Sequence, residues 1–158
     1  MRPQAGNSGG SKVLEHVLSG GKMSKYNRQK SQYNDRDCLV AALNEQGYAE
    51  VEVHEEAVNL IGYHGDTRPE KANVIVRRKH IGTAANDLGF VKEADGTYSA
   101  IVSDYDSHKH GVEWMTGLKK AYTEKRLIKH AAKNGLKYLG KKIVNNKVQI
   151  QWMDTRSA

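Results

Sequence analysis

"LGFVKEADGTYSAIVSDYD", residues 88–106, decides the fold. Two alternating apolar runs flank Asp95-Gly96, a dipeptide that favours a tight hairpin turn. A hairpin joins antiparallel strands, so the sheet is expected to be antiparallel. Working upstream, "ANVIVRR" (72–78) is a strand with Val74 and Val76 on one face. "HGDTRPEK" (64–71) is expected as a loop. "AEVEVHEEAVNLIGY" (49–63) alternates at Val51 and Val53, then at Val58 and Leu60. That pattern predicts a strand, a tight turn near Glu55-Glu56 and a second strand. "NDRDCLVAALNEQGY" (34–48) is a helix with Asn34 or Asp35 as N-cap, an apolar side of Leu39, Val40, Ala42 and Leu43, and a stop at Gly47. "KYNRQKSQY" (25–33) is expected to be a polar edge strand.

Downstream, a second helix is expected over roughly residues 111–134, with Gly135 ending it. Trp114, Leu118, Ala121, Ile128 and Ala131 or Ala132 form its buried stripe. "KYLGKKIVNNKVQIQW" (137–152) is a hairpin over Asn145-Asn146. The expected order is β-α-β-β-β-β-β-α-β-β. It predicts an α+β fold, an antiparallel sheet covered by two helices. Residues 1–22 are read as a leader or mobile tail, because codons for "GGK" ahead of Met23 can form a purine-rich ribosome-binding sequence. Met23 is then the natural start, residues 23–153 one α+β domain, and residues 154–158 a short tail.

The chain has 158 residues, 38% of them hydrophobic and 27% charged, which suits one modest core. Mean hydropathy is -0.72, and no stretch approaches the roughly 18 apolar residues of a membrane span. A single cysteine, Cys38, excludes an intrachain disulfide and sits in an apolar helical pattern, as a buried structural thiol would. The composition fits a reducing compartment: a bacterial or phage-infected cytosol, or a plastid stroma. Net charge is +7, and it is unevenly placed. Residues 1–22 carry +2 and residues 23–109 carry −3. Residues 110–158 hold eleven Lys or Arg against three Asp or Glu, a local charge of +8. Such a field attracts polyanions.

"KANVIVRR", "DLGFVKEADGTYSAIVSDYD" and "AYTEKRLIKHAAKNG" with the closing hairpin, preceded by "MSKYNRQKSQYNDRDCLVAALNEQGY", resemble the family of hypothetical chloroplast reading frame thirty-five. That family is a domain of unknown function in cyanobacteria, plastids, other bacteria and phages. The similarity covers about residues 23–153. It implies a small soluble α+β protein and brings no established activity or catalytic residues. The leader and the "DSHKH" segment depart from it.

"DYDSHKH" places Asp104, Asp106, His108 and His110 at every second position. On a strand they would share a face and offer metal ligands. The row would span about 20 Å, however, too long for one ion without a sharp bend. The segment also precedes a helix, where aspartate serves as a cap. A strand end with a capping loop is therefore preferred, with no metal. His64, Asp66 and Arg68 are residue types used in acid–base or phosphate chemistry, set in a turn-rich loop. "RRKH" (77–80) could contact phosphate or protect a strand edge.

The second helix carries Lys119, Arg126 and Lys133 at seven-residue spacing, hence on one side. Lys120, Lys125 and Lys129 widen the band, Lys141 and Lys142 extend it into the hairpin, and Glu124 is the counterion in its midst. Tyr122 and Tyr138 are candidates for stacking or for the core. No P-loop, G-x-S-x-G, CxxC or H-E-x-x-H pattern occurs, and no cofactor is expected. The expectation is a small, cytoplasmic, non-enzymatic binding or accessory protein. It would dock an anionic partner, nucleic acid or an acidic protein, through its basic C-terminal third, with no membrane partner. The alternative is a metal-dependent hydrolase using His64, Asp66, Asp104, His108 and His110.

Overall fold

The computed structural model describes residues 25–157. The expectations for the leader and for Met23 fall outside them. Five strands form an antiparallel sheet in the order β1-β5-β4-β3-β2: β1 (Tyr26–Gln29), β2 (Glu52–Ile61), β3 (Thr67–Val76), β4 (Leu88–Lys92) and β5 (Tyr98–Ser103). Helix α1 (Arg36–Glu45) lies between β1 and β2 in the chain, and α2 (Val112–Lys133) follows β5. A separate ribbon, β6 (Leu136–Val144) and β7 (Lys147–Asp154), ends the fold. The fold is α+β, with an antiparallel sheet and two helices in the expected succession.

The local signals act as read. Asp35 caps α1 by accepting a hydrogen bond from the Cys38 amide at 3.0 Å. Gly47 (φ 108) turns the chain out of that helix, and Gly135 (φ 77) does the same after α2. Asp95 takes the Thr97 amide at 3.0 Å in the β4–β5 turn, where Gly96 has φ 88. Asn145 and Asn146 both have positive φ, 53 and 63, the signature of a type I′ turn between β6 and β7.

Two segments differ from expectation. The turn at Glu55-Glu56 is a bulge within one strand, β2, where the register with β3 shifts between Val53 and Val58. Asn73 on β3 fills it: its side-chain amide donates to the carbonyls of His54 (3.2 Å) and Glu55 (3.1 Å), and its side-chain oxygen accepts from the Lys92 amide at 2.9 Å. The carbonyls freed by the bulge are thus paired, and no chain reversal is needed. Second, the loop before β3 is shorter than expected. Strand pairing resumes at Thr67, so Arg68 and Pro69 belong to β3.

The helices cover one face of the sheet. Leu39, Ala42 and Leu43 of α1 and Leu118, Ala121 and Tyr122 of α2 pack with Val74, Val76, Leu88, Phe90, Tyr98, Ala100 and Val102. Trp114 is half-buried against this cluster. Tyr122 is core, and its hydroxyl accepts from the amides of Asn34 (2.9 Å) and Asp35 (3.0 Å), tying α2 to the start of α1. The opposite face closes on itself. Leu60, Ala72, Ile75 and Ile101 form a second buried cluster, flanked by Tyr26. The Arg68 guanidinium sits 5.5 Å from the centre of the Tyr26 ring, and the Tyr26 hydroxyl donates to the Asp87 carbonyl at 2.9 Å. The β2–β3 hairpin therefore curls across the back of the sheet to reach edge strand β1.

Candidate anion-binding face

The basic band runs along α2 and into the ribbon, and α1 decides which of its cations are free. Lys125 bonds Glu45 at the end of α1 at 2.9 Å. Lys129 (2.6 Å) and Arg126 (3.6 Å) both reach Asp35, the cap at the start of α1. Lys141 of β6 bonds Glu124 at 2.9 Å. Partial burial opposes ionisation of Asp35, but the hydrogen bonds from Lys129 and the Cys38 amide outweigh it and pull its pKa down to about 2. The hydrogen bond from Lys125 likewise lowers Glu45, and the one to Glu124 raises Lys141. Beyond Glu124, then, tertiary packing supplies two further counterions, Asp35 and Glu45. Both come from a helix distant in sequence.

The remaining cations are uncompensated. Lys119, Lys120 and Lys133 on α2 and Lys137, Lys142 and Lys147 on the ribbon are exposed and have no ion-pair partner among the described residues. Lys119 also lines a groove of about 630 Å³ between β1 and α2, with Asn27, Gln29, Thr116 and Thr123 beside it.

The ribbon stands apart from the sheet. Cross-strand partners share a face, so Tyr138 with Trp152 and Lys141 with Ile150 occupy one side. That side meets α2 through the Lys141–Glu124 pair, and Tyr138 and Trp152 pack edge to face at 5.7 Å. The other side carries Lys142 opposite Gln149, Val144 opposite Lys147, and Gly140 opposite Gln151. Every residue from 141 to 149 is exposed. So is the apolar pair near the tip, with Ile143 at 74% and Val148 at 55% relative exposure. A lone two-stranded ribbon is marginal in water, so this element draws its order from its base against α2.

The histidine–aspartate residues scatter. Strand β5 ends at Ser103, and Asp104–Asp106 is a 3-10 turn, which breaks the strand row on which a shared face depends. Asp104 is exposed and accepts a hydrogen bond from the Asn27 side chain. Asp106 is buried and takes the Asn86 backbone amide (2.9 Å) and side-chain amide (3.2 Å). His108 is exposed, whereas His110 is buried with its Nε2 2.7 Å from the Tyr48 hydroxyl and its ring against Trp114. His64 lies on the Tyr63 ring, and Tyr63 in turn meets Tyr105, but Asp66 turns back to Arg68 at 3.5 Å. Among the described residues, no three His, Cys, Asp or Glu side chains are placed to hold one metal ion. Cys38 is buried, and burial raises its pKa.

The buried polar network was not visible in the sequence. Asp87 accepts from Arg77 (2.7 Å), the Ile61 amide (2.7 Å) and the Arg78 amide (2.7 Å). Arg77 also bonds Glu52, and Arg78 donates to the carbonyls of Ala85 and Tyr63. The arginines of "RRKH" therefore serve this network. The one signal for it was "ND" at 86–87 directly before an apolar strand, a position that reads as linker.

A family model described as a protein of unknown function, DUF1257, matches residues 42–150. The chain belongs to the DUF1257 family. The DUF1257 match takes in the end of α1, the sheet from β2 onward, all of α2 and most of the ribbon. Comparison with curated proteins and with solved structures finds no match. No helix among the described residues of this DUF1257 chain is long and apolar enough to cross a membrane.

Proposed function

We propose that this chain is a non-enzymatic binding protein that docks a polyanion, with nucleic acid as the partner, through α2 and the β6–β7 ribbon. One observation carries the reading: six exposed lysines of this region have no ion partner among the described residues, while Lys125, Arg126, Lys129 and Lys141 beside them are paired internally. Those six are the side chains able to exchange counterions for phosphates. The single buried cysteine, together with the resemblance to the chloroplast reading-frame family, supports a reducing compartment, a bacterial or phage-infected cytosol or a plastid stroma.

The test is fluorescence anisotropy with labelled single- and double-stranded oligonucleotides over a salt series. A face that neutralises six phosphates should weaken about a thousandfold in affinity between roughly 50 and 200 mM salt. Replacing Lys119, Lys120 and Lys133 with Gln should weaken binding and flatten the salt slope by about 0.9 for each phosphate no longer neutralised. These three have no ion partner among the described residues, so the variant's melting temperature should stay unchanged. No binding at low salt, or equal binding by the triple variant, removes nucleic acid as the partner of this face.

A further inference from the structure

We propose that the β6–β7 ribbon enters the major groove of B-form DNA. The inference rests on the nucleic-acid reading above and adds to it the form of nucleic acid and the side chains that read it. Shape is the first argument. Two paired strands stand about 4.8 Å apart, and the B-DNA major groove, about 12 Å wide, admits a two-stranded ribbon. The distal part of this ribbon, residues 141–149, is exposed along its whole length. The type I′ turn at Asn145-Asn146 keeps its tip to two residues.

Charge is the second argument. Residues 136–153 contain four lysines and no aspartate or glutamate. Chemistry is the third. The side turned away from α2 presents Lys142 beside Gln149, Lys147 beside Val144, and Gln151 beside Gly140. Lysine can donate to guanine O6 and N7, glutamine can pair with adenine N6 and N7, and an apolar side chain can meet the thymine methyl. Gly140 (φ 142) lies at the register shift and presents no side chain, which leaves Gln151 clear. The A-form RNA major groove is too deep and narrow for side-chain readout. Single strands are held by stacking on open aromatic rings. The aromatics here, Tyr138 and Trp152, pack against each other on the side facing α2.

The experiment titrates the full chain against a fluorescein-labelled DNA duplex, its separated strand, and the same duplex with 7-deazapurines, which lack the N7 acceptor. The duplex should bind more tightly than the strand. The 7-deaza duplex should bind about tenfold more weakly, the scale on which one bidentate base pairing discriminates. Gln149→Ala with Gln151→Ala should shrink the difference between natural and 7-deaza duplexes, leaving the part that Lys142 and Lys147 read at guanine N7, while leaving the salt slope unchanged. The 7-deaza comparison uses the unaltered protein, so it stands even if the double variant folds poorly. Equal affinity for strand and duplex, or indifference to N7 removal, overturns the inference. If binding still falls on replacing Lys119, Lys120 and Lys133, the polyanion reading survives without it. If no oligonucleotide binds at low salt, both fall together.

Discussion

His110 is shielded from solvent by Trp114 and Tyr48, and that burial carries a pH dependence. It lowers the His110 pKa from 6.5 to about 4, against the opposing pull of Asp106. The folded pKa is below the unfolded one, so the unfolded chain takes up the proton first as pH falls. This contribution to stability is therefore complete above pH 6.5 and is lost as pH falls toward about 4. On the order of 2 kcal/mol should be gone by about pH 5. Urea titrations of the wild type and of His110→Gln at neutral pH and at pH 5 measure it. The wild type should lose that much more stability than the variant. Parallel losses would show that His110 does not titrate as a buried group.

At the scale of elements, β4 depends on having no side chain at Gly89. A Cβ there would lie 2.6 Å from the Ala72 Cβ and 3.0 Å from a Leu60 methyl, so the curled β2–β3 hairpin rests directly on the β4 backbone. Gly89→Ala should cost about 1–3 kcal/mol through overpacking. A second change, Ala72→Gly, should recover part of the loss by removing the opposing methyl. Thermal melts of the single and double variants decide the matter. An unshifted melting temperature for Gly89→Ala would mean that the hairpin does not close over this face. The bulge at residues 54–57 belongs to the same design, since it lets β2 bend while Asn73 keeps its carbonyls paired.

Across the whole molecule, stability should be unequal. Strands β3, β4 and β5 are interior to the sheet and supply its most buried residues, whereas the distal ribbon is exposed throughout. Local opening is easiest where the chain buries little apolar surface. Hydrogen exchange should therefore be fast for amides of residues 141–149 and slow for Val74, Ile75, Phe90 and Ile101. Protection in the ribbon equal to that of the sheet would contradict its placement outside the core. Bound DNA should slow exchange in the ribbon selectively if the ribbon enters the groove as proposed above.

The sequence by itself determined the features written in local chemistry. A helix cap at Asn34 or Asp35, the glycine exits at Gly47 and Gly135, the Asp95-Gly96 turn and the Asn145-Asn146 turn each act within a few residues, and each was legible; the fold selects Asp35 as the cap. The succession of elements and the antiparallel α+β class follow from them. Only the tertiary structure decided which charges stay free. Asp35 and Glu45 lie between 80 and 94 residues from the α2 cations that they pair with. No periodicity records a meeting of segments that distant. The same holds for "DYDSHKH": alternation allowed one shared face, but the 3-10 turn after Ser103 sends Asp106 and His110 inward and leaves Asp104 and His108 outside. Likewise the alternation around Glu55-Glu56 reads as a tight turn between two strands, whereas the fold makes it a bulge within one. The partner that settles it, Asn73, acts across strands, and a cross-strand hydrogen bond exists only once the sheet has formed.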